Sequence, residues 1–344
     1  MRPRAREYGV TLGSLNTGKL NAITDVDGVG VGHTTLIEGD SVRTGVTAIV
    51  PHAGNLIDDK VTAAVDLFNA YGKSTGLPQI INEGTIETPI MLTETLNTWR
   101  VADAVIDYHR ERLGLQPRSL NVVVGETNGS YLTDNLGRHV GAEHVFEALD
   151  IARSPAGRGA VTEGNVGGGT PMTGYGLKGG IGTSSRVVDG FTVGALVQLN
   201  CGSLEDLMIG GVPVGREVEL PKKPAVSKGN SIMMIVATDA ALESRQLGKI
   251  AKRAALGVAR TGTYAGNGSG DFAIAFTTKK KQHNERGDDF LSPLYKATVE
   301  ATEEAVVNAL FAAETMKGYQ GHVRHALSLD QLPAIFERYG RCLK

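Results

Sequence analysis

The residue best placed to do chemistry in this sequence is Ser269, set between Gly268 and Gly270 in the stretch RTGTYAGNGSGDFAIAF (260–276). With no side chain on either neighbour, the hydroxyl can be approached closely, and the backbone can take conformations closed to other residues. The sequence Asn267-Gly268-Ser269 also lets the serine attack the carbonyl that precedes it. Scission there exposes Ser269 as a new N-terminus, whose α-amine is a built-in base for its own hydroxyl. The same residues also read as a glycine-rich hairpin or a turn between a helix and a strand, and this stretch alone favours that plainer reading.

Three further positions carry chemistry. Glu126 directly follows an apolar strand at 120–125, where a charge is costly unless it has a partner or a task. A substrate ammonium satisfies that condition, and so does a neighbouring arginine or a turn to cap. Asn200 ends the apolar run FTVGALVQLN (191–200) as a neutral donor suited to an oxyanion hole. On the last long amphipathic segment, Glu300 and Glu304 share a face at i,i+4 and are expected in solvent, while Glu303 turns toward the apolar side. The histidines show no metal-ligand spacing, and His33, His139 and His144 are expected to be structural. Neither a phosphate loop, a dinucleotide fingerprint nor a GxSxG elbow is present, so no metal or cofactor is expected.

The elements that must position these residues are α/β in kind. Strands are expected at 21–33, 45–51, 89–93, 120–125, 191–200, 230–238 and 272–276. Helices are expected at 61–71, 95–113, 140–152, 242–259 and 292–316, the last with Ser292 as N-cap and Pro293 at its first position. Segment 207–227, with three prolines, reads as irregular, and 282–289 as a charged loop. Glycine, 45 of 344 residues, is about twice its usual share and lies beside short Val/Ile/Leu strands, as in a sheet-rich enzyme with close backbone approaches. The chain is long enough for a substantial core. A formal net charge of -2 argues against a nucleic-acid partner. Two distant cysteines, no apolar run of membrane-spanning length and no apolar leader point to a soluble cytoplasmic protein.

Seven blocks in order, NAITDVDGVGVGHTTL (21–36), VVVGETNGSYLTD (122–134), GNVGGGTPMTGYGLKGGIGTSSR (164–186), GALVQLNCG (194–202), IVATDA (235–240), ARTGTYAGNGSGD (259–271) and ATEEAVVNALFAAETM (301–316), resemble the DmpA/BapA-type aminopeptidases. This family comprises the L-aminopeptidase/D-esterases and β-peptidyl aminopeptidases. The resemblance implies a single catalytic domain over 1–344 with a four-layer α/β/β/α sandwich. That fold is akin to the N-terminal-nucleophile hydrolases but has its own connectivity. It implies self-cleavage between Gly268 and Ser269 into an α chain (1–268) and a β chain (269–344), with αβ units assembled as homo-oligomers. Ser269 is then the nucleophile, Asn200 the oxyanion-hole amide and Glu303 the acidic member of the relay. Glu126, Asn128 and Tyr131 bind substrate, a short peptide, amide or ester with a free amine held at Glu126. The chain departs from the family pattern at Ala301, where a second serine is usual and Thr302 stands alongside, and at Asn128, where members such as DmpA have tyrosine. Two other functions remain open at this level: an amidase acting on ω-amino-acid oligomers, and an uncleaved binding protein without catalysis.

Overall fold

The computed structural model describes residues 2–221, 231–280 and 288–343. In chain order the strands are β1 (Gly30–Glu38), β2 (Val42–Val50), β3 (Val61–Ala70), β4 (Thr85–Ile86), β5 (Ile90–Glu94), β6 (Val123–Thr127), β7 (Thr173–Gly174), β8 (Leu177–Lys178), β9 (Gly180–Val188), β10 (Phe191–Asn200), β11 (Ser231–Thr238), β12 (Gly270–Thr277), β13 (Met316–Lys317) and β14 (Val323–Arg324). The helices are α1 (Leu77–Glu83), α2 (Thr98–Glu111), α3 (Ala142–Arg153), α4 (Val214–Glu217), α5 (Ser244–Ala259), α6 (Leu291–Ala312) and α7 (Leu332–Arg338). One sheet has the order β1-β2-β5-β6 and the other the order β4-β3-β12-β11-β10-β9, with β11 and β12 parallel.

Burial on both faces explains why the central strands read as continuous apolar runs. Along β11, Ile232, Met234 and Val236 pack toward α5 and α6, while Met233, Ile235 and Ala237 pack between the sheets. On the far side, Met91 and Val124 meet Val101, Val105, Val145 and Leu149 of α2 and α3. The result is the α/β/β/α sandwich expected from the sequence. Close approach accounts for part of the glycine content: a Cβ on Gly182 of β9 would stand 2.0 Å from the Ala305 carbonyl of α6. No helix among the described residues is long and apolar enough to cross a membrane.

Three elements differ from expectation. The strand expected at 21–33 begins only at Gly30, and Ile23–Asp25 form a short 3-10 helix before it. Segment 61–71 is not a helix; it forms β3, antiparallel to β12. Leu67 and Phe68, which a helical stripe would bury, are 41 % and 57 % exposed. Pairing to a central strand overrides a local periodicity here. The register slips beside Asp271/Phe272, so that Asn69 opposes Asp271 and Leu67 opposes Phe272. Bulges of this kind re-aim side chains near functional sites. The long C-terminal helix starts at Leu291, one residue early, with Phe290 as a cap that makes no side-chain bond, and stops at Ala312. Pro293 still falls in the first turn, where no N–H is required. Segment 207–221 is largely irregular and includes the short α4; residues 222–227 and most of the expected charged loop 282–289 lie outside the described residues.

Candidate active site

Three interior strands of the six-stranded sheet bring Asn200, Ser231 and Gly270 into one row at their ends, Asn200 opposite Ser231 and Ser231 opposite Gly270. Neighbouring strands lie about 4.8 Å apart, so the backbone of Asn200 is roughly 10 Å across the row from that of Gly270. Ser231 joins the row by accepting the Gly270 N–H at its Oγ, 3.1 Å.

Ser269 precedes β12 and is 1 % exposed. Its Oγ donates to Asp271 Oδ1 at 2.6 Å. Its N–H donates to the Gly266 carbonyl at 3.2 Å, closing a turn in which Gly268 takes φ +85°. Asn69, brought opposite by the bulge, donates from Nδ2 to the Ala265 carbonyl (2.8 Å), the Gly266 carbonyl (3.3 Å) and Asp271 Oδ2 (3.3 Å). Burial pushes the Asp271 carboxyl above its ordinary range, against the donors Ser269, Asn69 and the Ile232 backbone. Asp271 also borders a cavity of about 100 Å³ with Phe68, Cys201, Ile232, Met234 and Tyr264.

Glu126, at the penultimate position of β6, is 2 % exposed. Its oxygens accept the Lys73 N–H at 2.7 Å and the Thr95 hydroxyl. Gly72 bridges this carboxylate to the serine. A Cβ on Gly72 would lie 3.1 Å from Glu126 Oε1, and a Cβ on Gly270 would lie 2.9 Å from the Gly72 Cα. One residue earlier, Tyr71 donates its N–H to the Ser269 carbonyl at 3.2 Å. A second carboxylate lies nearby. Glu94 is buried and pushed up to about 8, first by burial and also by the Glu126 charge, against the Leu96 N–H.

The amide of Asn200 is fixed at both ends. Oδ1 accepts the Thr173 N–H (2.8 Å) and Nδ2 donates to the Asn128 carbonyl (3.1 Å), leaving one N–H of the amide nitrogen uncommitted among the described residues. Thr173 pairs with Lys178 across β7 and β8. The Lys178 Nζ is pinned by the carbonyls of Gly169, Met172 and Gly179. Tyr131 belongs to the same wall: it stacks on His322 with ring centroids 4.3 Å apart and lies 3.7 Å beneath Arg324, whose Nε reaches the Thr173 hydroxyl.

Ser269, Asn200, Glu126, Asn128 and Tyr131 thus gather at one end of the sheets. Glu303 stands apart, in the seam between α5 and α6, and its ion-pair partner is Arg260 at 2.9 Å. Burial raises its carboxyl and the Arg260 charge opposes this. Among the described residues no hydrogen bond or ion pair links it to Ser269. The neighbouring hydroxyl of Thr302 is buried without a hydrogen-bond partner among the described residues. Glu300 and Glu304, expected in solvent, are buried. Arg186 reaches Glu304 at 2.6 Å and Glu300 at 3.3 Å, and Arg6 reaches Glu304 at 2.8 Å. Burial works against the Glu300 charge, but the Leu15 and Ser14 N–H groups and Arg186 hold its carboxyl below the ordinary range. His33, His139 and His144 bond to Thr47, Asp134 and the Gly141 N–H, away from the serine.

The sequence reading missed Asp271 and Asn69. Asp271 was open to inspection: in a strand, residue i+2 shares a face with residue i, so a carboxylate two after the serine is a natural partner. Asn69 carried no such signal, because its place depends on a bulge between strands some 200 residues apart in the chain.

A serine buried at the start of a central strand of a two-sheet sandwich, with the Asn200 amide at the end of a strand in its own sheet and the Glu126 carboxylate near the end of a strand in the other, is an arrangement suited to hydrolysis by a serine nucleophile. The model of peptidase family S58 matches residues 21–324. The chain is 41% identical over 375 aligned positions to the beta-peptidyl aminopeptidase BapA of Sphingosinicella xenopeptidilytica, covering 97% of this chain and 91% of that protein. It is similar to the solved PH0078 protein of Pyrococcus horikoshii OT3, with 47% identity, a TM-score of 0.89 and coverage of 98% and 100% of the two chains. It is also similar to the L-aminopeptidase D-Ala-esterase/amidase of Ochrobactrum anthropi, described as a variant of the Ntn hydrolase fold, with 38% identity, a TM-score of 0.89 and full coverage (100%) of both chains. The chain belongs to peptidase family S58 and is a hydrolase of the aminopeptidase class.

Proposed function

We propose that this protein cleaves itself between Gly268 and Ser269 and then removes N-terminal residues from short peptides, amides or esters. The α chain is 1–268 and the β chain 269–344. Ser269 Oγ attacks the substrate carbonyl carbon while its new α-amine takes the hydroxyl proton. The uncommitted N–H of Asn200 faces the charge that develops on the carbonyl oxygen. Collapse breaks the bond to the leaving group, which departs with the proton, and water then hydrolyses the Ser269 ester.

The observation that carries this reading is the short path from Glu126 to the nucleophile. Tyr71 bonds to the Ser269 carbonyl and Lys73 to Glu126, and two residues of chain span at most ~7 Å. A carboxylate this close to the serine anchors a substrate ammonium near the reacting carbonyl, which favours the N-terminal bond of a peptide over internal ones. Asn128 and Tyr131 form the wall on the Asn200 side. Glu303 is proposed as the acidic member of the relay, although its ion-pair partner is Arg260. The exposed rings of Phe68, Tyr71 and Tyr264 support assembly of αβ units into a homo-oligomer, and the cytoplasm is the proposed compartment. The test compares a dipeptide amide with its N-acetylated form. Hydrolysis of the free amine alone supports the reading; equal hydrolysis of both contradicts it.

A further inference from the structure

We infer that Asp271 is the base for the self-cleavage step, taking the proton from Ser269 Oγ while the Gly268–Ser269 bond is still intact. The inference rests on the self-cleavage proposed above. In the unbroken chain Ser269 has no α-amine, because its nitrogen is still an amide that donates to the Gly266 carbonyl. Another group must accept the hydroxyl proton, and Asp271 Oδ1 is already bonded to that hydroxyl at 2.6 Å.

The surroundings fit a base better than a structural carboxylate. Asp271 is buried, and among the described residues no lysine, arginine or histidine forms an ion pair with it. A neutral side chain could anchor the Ser269 hydroxyl without the cost of burying a charge. The titratable groups bordering the same cavity are Cys201, just past the end of β10, and Tyr264 of the loop before the serine. Burial, with the Asp271 charge adding to it, pushes the Cys201 thiol up, so it stays protonated. Asn69 of β3 fixes both parties to the reaction. One amide nitrogen touches the carboxylate and the carbonyls of Ala265 and Gly266, in the turn that presents the scissile bond.

The step balances with no outside reagent except water. The Ser269 hydroxyl oxygen bonds to the Gly268 carbonyl carbon as its proton passes to Asp271. The tetrahedral centre collapses by breaking the carbon–nitrogen bond, and Asp271 returns the proton to the departing nitrogen. Gly268 is then an ester on Ser269 Oγ. Water hydrolyses that ester, leaving a Gly268 carboxylate and a Ser269 with free hydroxyl and amine.

The experiment follows cleavage of freshly made chains by intact mass under denaturing conditions. Wild type is expected to cleave. Asp271→Asn is expected to cleave about 100-fold more slowly or less, the usual scale for a lost general base, while keeping the wild-type melting transition. Asp271→Ala is expected to stay whole until formate is added, since the adjoining cavity can admit a small carboxylate; chloride at the same ionic strength is expected to do nothing. Cleavage of Asp271→Asn at the wild-type rate overturns the inference, and so does an inert Asp271→Ala chain that formate fails to revive. A wild-type chain that stays whole instead overturns the self-cleavage reading itself.

Discussion

Gly72 and Gly270 face each other so closely that a Cβ on Gly270 would stand 2.9 Å from the Gly72 Cα. This backbone contact seats the segment that holds Glu126 against the start of the strand that carries Ser269. A Cβ on Gly72 would itself fall 2.4 Å from the Phe272 ring and 3.1 Å from Glu126 Oε1. Gly72→Ala is therefore expected to lower thermal stability by ~1–3 kcal/mol, the usual range for overpacking, and to raise KM more than it lowers kcat. Melting curves and steady-state kinetics on a dipeptide amide check both; an unchanged KM would show that the contact does not set the amine site.

Glu126→Gln keeps the shape and can still accept the Lys73 N–H at its amide oxygen, but it loses the acceptor for the Thr95 hydroxyl on the other oxygen and removes the charge. Hydrogen bonds to charged groups are worth ~1.5–3 kcal/mol, so kcat/KM for free-amine substrates is expected to fall roughly 10- to 100-fold. The loss is expected in KM. A fall in kcat alone would place Glu126 outside amine recognition.

Glu94 gives a pH prediction. Burial pushes its folded carboxyl up to about 8, while an unfolded glutamate titrates near the ordinary 4.5. Between those values the folded state binds more protons, so this group's contribution to stability declines as pH rises from about 4.5 to about 8. Glu94→Gln holds the site neutral. The stability difference, variant minus wild type, is expected to grow across that window, measured by denaturant unfolding at pH 5, 7 and 8.5. Parallel curves would show that Glu94 is not held protonated.

The cluster of Arg186 with Glu300 and Glu304 is structural. Removing one partner of a buried pair typically costs 3–5 kcal/mol, because the other charge is left uncompensated. Arg186→Met is expected to show a loss of that order in denaturant unfolding. A loss under ~1 kcal/mol would mean that Arg6 and water replace Arg186 at the two carboxylates.

Local pattern made much of this legible. The run 272–276 and the helix before Ser269 were readable because apolar periodicity and flanking glycines act over a few residues. Glu126 and Asn200 stood out because polar groups ending apolar strands are unusual. Segment 61–71 misled because its alanines satisfy a helical stripe, while its state was decided by pairing with β12. The acids of α6 misled because Arg6 and Arg186, which neutralise them, come from distant parts of the chain. Asn69 was invisible for the same reason: a bulge sets its aim.

The measurement that bears most directly on the central claim is the mass of the purified protein under denaturing conditions, with N-terminal sequencing of any smaller fragment. Two chains are expected, the smaller beginning Ser269-Gly270-Asp271. A single chain of 36.3 kDa after long incubation would contradict it.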